Sequence, residues 1–183
     1  KPNSNVGERM SVDNMRWEFG DLVISRARKI DAMSLLSIHR EVLAEGPFFI
    51  TQAAEFSRTL DQQTARIQSF LESRRDVYLV ARVRRMPVGF IVLQAGPLAR
   101  MRHCLKLELM VAAAARRQGV AHHLMASAIE WARATPGVDK IGLNVFADNA
   151  QAVKLYREFG FTVEGRRHGE YLFEDGQYRD DLL

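Results

Sequence analysis

Residues 107–156 constrain the chain more than any other stretch. An apolar run, Leu107-Glu108-Leu109-Met110-Val111, leads through the linker Ala112 to Ala115 into a basic turn, Arg116-Arg117-Gln118-Gly119-Val120-Ala121. The clearest helical period in the sequence follows: Ala121, Leu124, Met125, Ala128, Ile129 and Ala132 form one apolar stripe. Pro136-Gly137 ends it, and Ile141 to Phe146 reads as a further strand. A buried strand, a basic turn with one glycine and a helix start together suit an anion. The first N–H groups of a helix lack internal partners, and the helix dipole makes that end positive. Gly119 lets the backbone approach a bulky ligand, and Arg116 and Arg117 offer charge-assisted hydrogen bonds. The alternative is a surface turn whose arginines are merely solvated.

The rest of the chain reads as scaffold around that stretch. Residues 1–20 are polar and aperiodic and are expected to be a flexible extension, with Trp17 and Phe19 anchoring its end. Residues 21–183 are expected to form a single domain. Leu22 to Ala27 is the first strand. Asp31 is a plausible N-cap for a helix whose buried face is Ala32, Leu35, Leu36, His39, Val42 and Leu43. His39 reads as a partly buried helix residue. Glu45-Gly46-Pro47 ends that helix. A second helix over 61–73 turns Leu60, Ile67, Phe70 and Leu71 inward and leaves Gln62, Gln63, Arg66 and Gln68 in solvent. Val77 to Val83 and Val88 to Leu93 form a hairpin around Arg84 to Pro87. Asp148-x-x-Gln151 can cap a fourth helix, which Gly160 closes. Phe161 to Glu164 begins the next strand, and Glu174 to Gln177 turns between the last two. This order implies an α/β domain, a mixed central sheet with helices on both faces.

Composition narrows the functional classes. A single cysteine, Cys104, leaves no internal disulfide framework. No apolar run approaches the roughly 20 residues that span a bilayer, so a cytoplasmic location and no membrane partner are expected. The 26 Lys and Arg against 22 Asp and Glu give a net charge of +4, which suits an anionic ligand. The arginines are spread along the chain without aromatic interleaving, so no nucleic-acid partner is expected. His122 and His123 are adjacent and point about 100° apart on a helix, and no metal is expected.

Two motifs in order resemble a known family. Arg116-x-x-Gly119-x-Ala121 resembles the (Gln/Arg)-x-x-Gly-x-(Gly/Ala) signature of the GCN5-related N-acetyltransferase (GNAT) superfamily. Asn149-x-x-Ala152-x-x-Leu155-Tyr156-x-x-x-Gly160-Phe161 resembles its second hallmark. The nearest likeness is to small bacterial members that acetylate amino acids and similar amines. The resemblance implies a mostly antiparallel α+β sheet with acetyl-CoA as co-substrate. It places the pyrophosphate on Arg116, Arg117, Gln118, Gly119, Val120 and Ala121, and the pantetheine arm along Leu109, Met110 and Val111. Asn149 would contact that arm; as an alternative it only caps its helix. Ala112 to Ala115 departs from the His-Pro-type sequence common there. The resemblance makes Glu108 the candidate base, or else a contact for the substrate cation or a partner of a neighbouring Arg. Tyr156 is the candidate acid, or else one more aromatic on a buried stripe. Phe48 and Phe49 would wall the acceptor pocket, or are simple core aromatics. The implied reaction is direct attack by a small-molecule primary amine or amino acid in a ternary complex. A protein N-terminal acetyltransferase and a non-catalytic acyl-CoA-binding module are the rival readings. Pairing through the final strands leaves a homodimer open.

Overall fold

The computed structural model describes residues 15–46 and 48–183. Residues 1–14 of the expected extension, and Pro47 of the expected helix stop, lie outside them. A six-stranded sheet runs in the order β1 (Arg16–Phe19), β2 (Leu22–Arg26), β3 (Val77–Val83), β4 (Met86–Ala95), β5 (Cys104–Val111) and β6 (Lys140–Gly142). Every neighbouring pair is antiparallel except β5 and β6, which are parallel. A second antiparallel sheet holds β7 (Val145–Phe146), β9 (Tyr178–Leu182) and β8 (Arg166–Leu172), in that order. The helices are α1 (Ala32–Ala44), α2 (Leu60–Glu72), α3 (Val120–Ala134) and α4 (Ala150–Glu158).

The period-2 alternation of the strands divides the apolar side chains between two cores. Val77, Leu79 and Ala81 of β3, with Ile91 and Leu93 of β4, meet α3 through Leu124, Met125, Ala128 and Trp131. Tyr78 and Val80, with Phe90 and Val92, meet α1 and α2 through Leu35, Ile38, Val42, Ile67 and Phe70. The expected faces of α1 and α3 are both turned inward. On β5, Leu105, Leu107, Leu109 and Val111 belong to the α3 side, and Met110 to the α1–α2 side. Parity therefore sends Glu108 toward α1 and α2.

Several elements differ from the sequence expectation. The sheet begins at Arg16, inside the stretch read as an extension. Trp17 Nε1 donates to Glu130 Oε2 at 2.6 Å, and the Phe19 ring stacks on His123 at 4.0 Å, which ties β1 to α3. The α2 face is rotated: Gln63 is buried beside Ile67 and Phe70, whereas Leu60 and Leu71 are exposed. The run 141–146 is two strands in two sheets, because Val145 and Phe146 pair with Leu182 and Asp181 of β9. Residues 161–165 are irregular, and β8 begins only at Arg166. Asp148 does not cap α4. Asn149 does, its side chain accepting from Ala152 N at 3.1 Å, and Asp148 lies 3.4 Å from Arg179. The Asp31 carboxylate is drawn away from α1 toward Arg28 and the buried Arg82.

Candidate active site

The two sheets part beside β5. Only Cys104, Leu105 and Lys106 pair with β6, while β4 pairs along the strand to Val111. Leu107 to Val111 thus carry main-chain groups that no described strand meets on one edge. That edge can accept an extended ligand as a further strand. It includes the expected Leu109, Met110 and Val111.

The edge leads into the basic turn. Ala113 to Ala115 form a 3-10 turn, and Ala115 is buried. Arg117 and Gly119 both have positive φ, 60° and 78°. Gly119 is the N-cap of α3, and its N-cap carbonyl accepts from His123 N at 3.0 Å. The N–H groups of Val120, Ala121 and His122 precede the first intrahelical bond and point out of the helix start. Arg117, Gln118 and Gly119 are exposed. Arg116 has partners within the chain. Its guanidinium pairs with Glu45 beyond α1, and its Nε donates to Val111 O at 3.0 Å. It ties the turn to the end of β5.

On the α1–α2 side, Glu108 sits in a polar cluster. Arg66 Nη2 donates to Glu108 Oε2 at 2.7 Å. His39 Nδ1 lies 3.7 Å from Glu108 Oε1, beyond hydrogen-bond distance. His39 also stacks on Phe56 with 4.3 Å between ring centres. Burial pushes His39 down to about 4, against the opposing pull of Glu108, so the imidazole is neutral at neutral pH. Gln63 Nε2 donates to the Tyr78 hydroxyl at 3.2 Å and accepts at Oε1 from Arg58 Nη1 at 3.2 Å. Arg66 and Gln63, which the sequence left in solvent, therefore line the cluster. The sequence signal that could have found them was position: residues 63 and 66 share one helical face with Ile67 and Phe70.

The remaining expected residues are spread over two further regions. Phe49 packs on the α1–α2 core, and Phe48 is exposed at 38%. Tyr156 packs on the α3 side with its ring 5.8 Å from Phe161, and burial pushes its phenol up to about 12. A cleft of about 550 Å³ lies between Ile129 and Ala132 of α3, Ile141, Tyr156 and Phe161. It borders neither Glu108 nor Arg116 to Ala121. Among the described residues no group of three or more His, Cys, Asp or Glu is placed to hold a metal, and no helix is long and apolar enough to cross a membrane.

The model of the acetyltransferase (GNAT) family matches residues 42–161. The chain belongs to the GNAT acetyltransferase family. Among curated proteins it is similar to the L-amino acid N-acetyltransferase AaaT of Escherichia coli (strain K12). The two are 34% identical over 102 residues, which is 56% of this chain and 62% of that protein. Among solved structures it is similar to a GNAT-family acetyltransferase from Streptococcus pneumoniae. There the TM-score is 0.84 and the identity 25%, over 88% of this chain and 96% of that one. The fold is also that of yncA from Salmonella typhimurium, solved with its cofactor acetyl-CoA. That match has a TM-score of 0.80 and 17% identity, over 89% of this chain and 91% of that one. The GNAT fold accounts for the mixed, mostly antiparallel sheet and the helices on both its faces.

Proposed function

We propose that this GNAT protein transfers an acetyl group from acetyl-CoA to the primary amine of a small molecule or amino acid. The observation that carries the reading is the edge of Leu107 to Val111 that no described strand pairs, which leads through the basic turn to the start of α3. The co-substrate supplies an activated acetyl thioester. The N–H groups at Gly119, Val120 and Ala121 suit its pyrophosphate, and the unpaired β5 edge suits its extended arm. Arg117 adds charge at the same turn. Asn149 fits the capping role, which leaves its contact with the arm to be tested.

Glu108 takes the proton of the incoming ammonium, directly or through water. The amine nitrogen then forms the new C–N bond as the C–S bond breaks, and its second proton passes to water. A main-chain N–H of β5 supports the carbonyl oxygen as negative charge builds on it. Tyr156 returns a proton to the departing sulfur. Its burial favours the neutral phenol, the form an acid needs. Phe48 and Phe49 wall the acceptor side. The reaction is direct, in a ternary complex, and the location is cytoplasmic.

The test is thiol release from acetyl-CoA against free amino acids, other small amines and short peptides. Turnover on the small acceptors is expected, with Tyr156→Phe lowering kcat by about 100-fold or more and leaving acetyl-CoA binding nearly unchanged. Turnover on peptides alone would favour a protein N-terminal acceptor. Tight acetyl-CoA binding with no thiol release would favour a non-catalytic module.

A further inference from the structure

The cluster around Glu108 carries more positive charge than the base requires. Arg58 and Arg66 are two guanidiniums beside one carboxylate, and His39 is neutral. Arg66 is committed to Glu108 through Nη2 alone, and its Nη1 is buried with no hydrogen-bond partner. Glu108 is likewise half-engaged: Oε2 takes Arg66, while Oε1 is buried with no hydrogen-bond partner. Arg58 donates to the neutral Gln63 and lies 5.2 Å over the Phe56 ring. Among the described residues no carboxylate pairs with it. Burial and then the neighbouring Arg66 push the Arg58 guanidinium down, against the opposing pull of Glu108. One unmet donor, Arg66 Nη1, and one unmet acceptor, Glu108 Oε1, thus lie in a cluster where two guanidiniums meet one carboxylate, an excess of positive charge.

An isolated cation brought here meets Arg58 and Arg66 as well as Glu108, so a simple amine or polyamine is poorly matched. A peptide N-terminus offers an ammonium without a nearby carboxylate. A free α-amino acid offers both charges on adjacent atoms. We infer that Arg58, with the free Nη1 of Arg66 beside it, binds the α-carboxylate of a zwitterionic amino-acid acceptor whose ammonium meets Glu108. Arg58 and Arg66 are specificity-determining residues in this assignment, which rests on the acetyltransferase reading for its reaction but not for its binding. Phe49 and Phe56 give the surroundings an apolar character, so leucine is a suitable probe.

The experiment compares L-leucine, leucinamide and 3-methylbutylamine, the same skeleton with the carboxylate intact, neutralised and removed. Each is measured twice: by thiol release from acetyl-CoA, and by calorimetric binding to the protein saturated with CoA. The free acid is expected to exceed both analogues by about 10- to 100-fold, the range of a hydrogen-bonded charged contact. Arg58→Gln is expected to remove that preference, weakening the acid and easing the repulsion felt by the ammonium of the amide and the amine, and Arg58→Lys to restore part of it. Arg66→Gln serves as a second variant and should also lower kcat, because it releases Glu108. Equal use of acid, amide and amine by the wild-type chain would overturn the assignment and leave acetyl transfer standing. So would a preference that survives both glutamine variants. Carboxylate-dependent binding without thiol release would uphold the assignment and sink the acetyltransferase reading. Binding of none of the three would overturn the assignment.

Discussion

At the scale of single residues, the chemistry of the site is a matter of which side chains turn inward. The strand motif pointed to Glu108 and the helix motif to Tyr156. The neighbours that give Glu108 its character come from α1, from α2 and from the segment between them. Arg66 and Gln63 were hidden because a polar helix position reads the same whether it faces water or a polar pocket. His39 was legible as a buried position, and its contact with Glu108 was not, since that contact joins residues far apart in the chain. The neutral state of His39 has a measurable consequence. An unfolded chain protonates this imidazole below its ordinary 6.5, whereas the folded chain resists until about 4. In that window the unfolded state binds more protons, so stability falls as pH drops from about 6.5 toward 4. Glu108 opposes the depression, and Arg58 and Arg66 reinforce it. Urea midpoints measured across this window should fall less steeply in His39→Phe, which keeps a ring against Phe56. Equal slopes for the two proteins would remove His39 as the cause.

At the scale of elements, backbone geometry decides how closely strands approach and where they turn. The β3–β4 hairpin turns through Arg84 and Arg85 alone, both at positive φ, 49° and 72°. This is the geometry of a two-residue type I′ turn, which favours Asn-Gly and strains two arginines. The hairpin was legible from its flanking strands, but nothing in Arg84-Arg85 announces the turn type. Replacing the pair by Asn-Gly should raise unfolding stability by about 1–2 kcal/mol without altering acetyl-CoA affinity. No gain in chemical denaturation would contradict the strain. Gly89 acts nearer the site. It faces Val111 in the β4–β5 register, and a Cβ there would lie 2.9 Å from Met110 O. Gly89→Ala must push β5 away, at a cost of about 1–3 kcal/mol. It should also weaken acetyl-CoA binding, because the displaced strand is the one with the open edge. Calorimetry and denaturation on the same variant separate the two effects.

At the scale of the whole molecule, the site depends on one sheet becoming two. The apolar run 141–146 was legible, its division was not. Asp181 is buried on β9 and engages Asn144, while Val145 and Phe146 join β9, so the run leaves β5 after Gly142. The edge strand β1 was missed for a related reason. Four residues with mixed character become a strand only when Trp17 and Phe19 find α3. The parting of the sheets opens β5 toward the start of α3, and the central claim is that acetyl-CoA occupies this opening. A crystal structure of the protein with acetyl-CoA tests it most directly. Pyrophosphate oxygens are expected within hydrogen-bond distance of the backbone N–H groups at Gly119, Val120 and Ala121, with an arm paired along Leu109 to Val111. Acetyl-CoA seated in the cleft bordered by Ile129, Ile141 and Phe161, with β5 and the start of α3 left untouched, would contradict it.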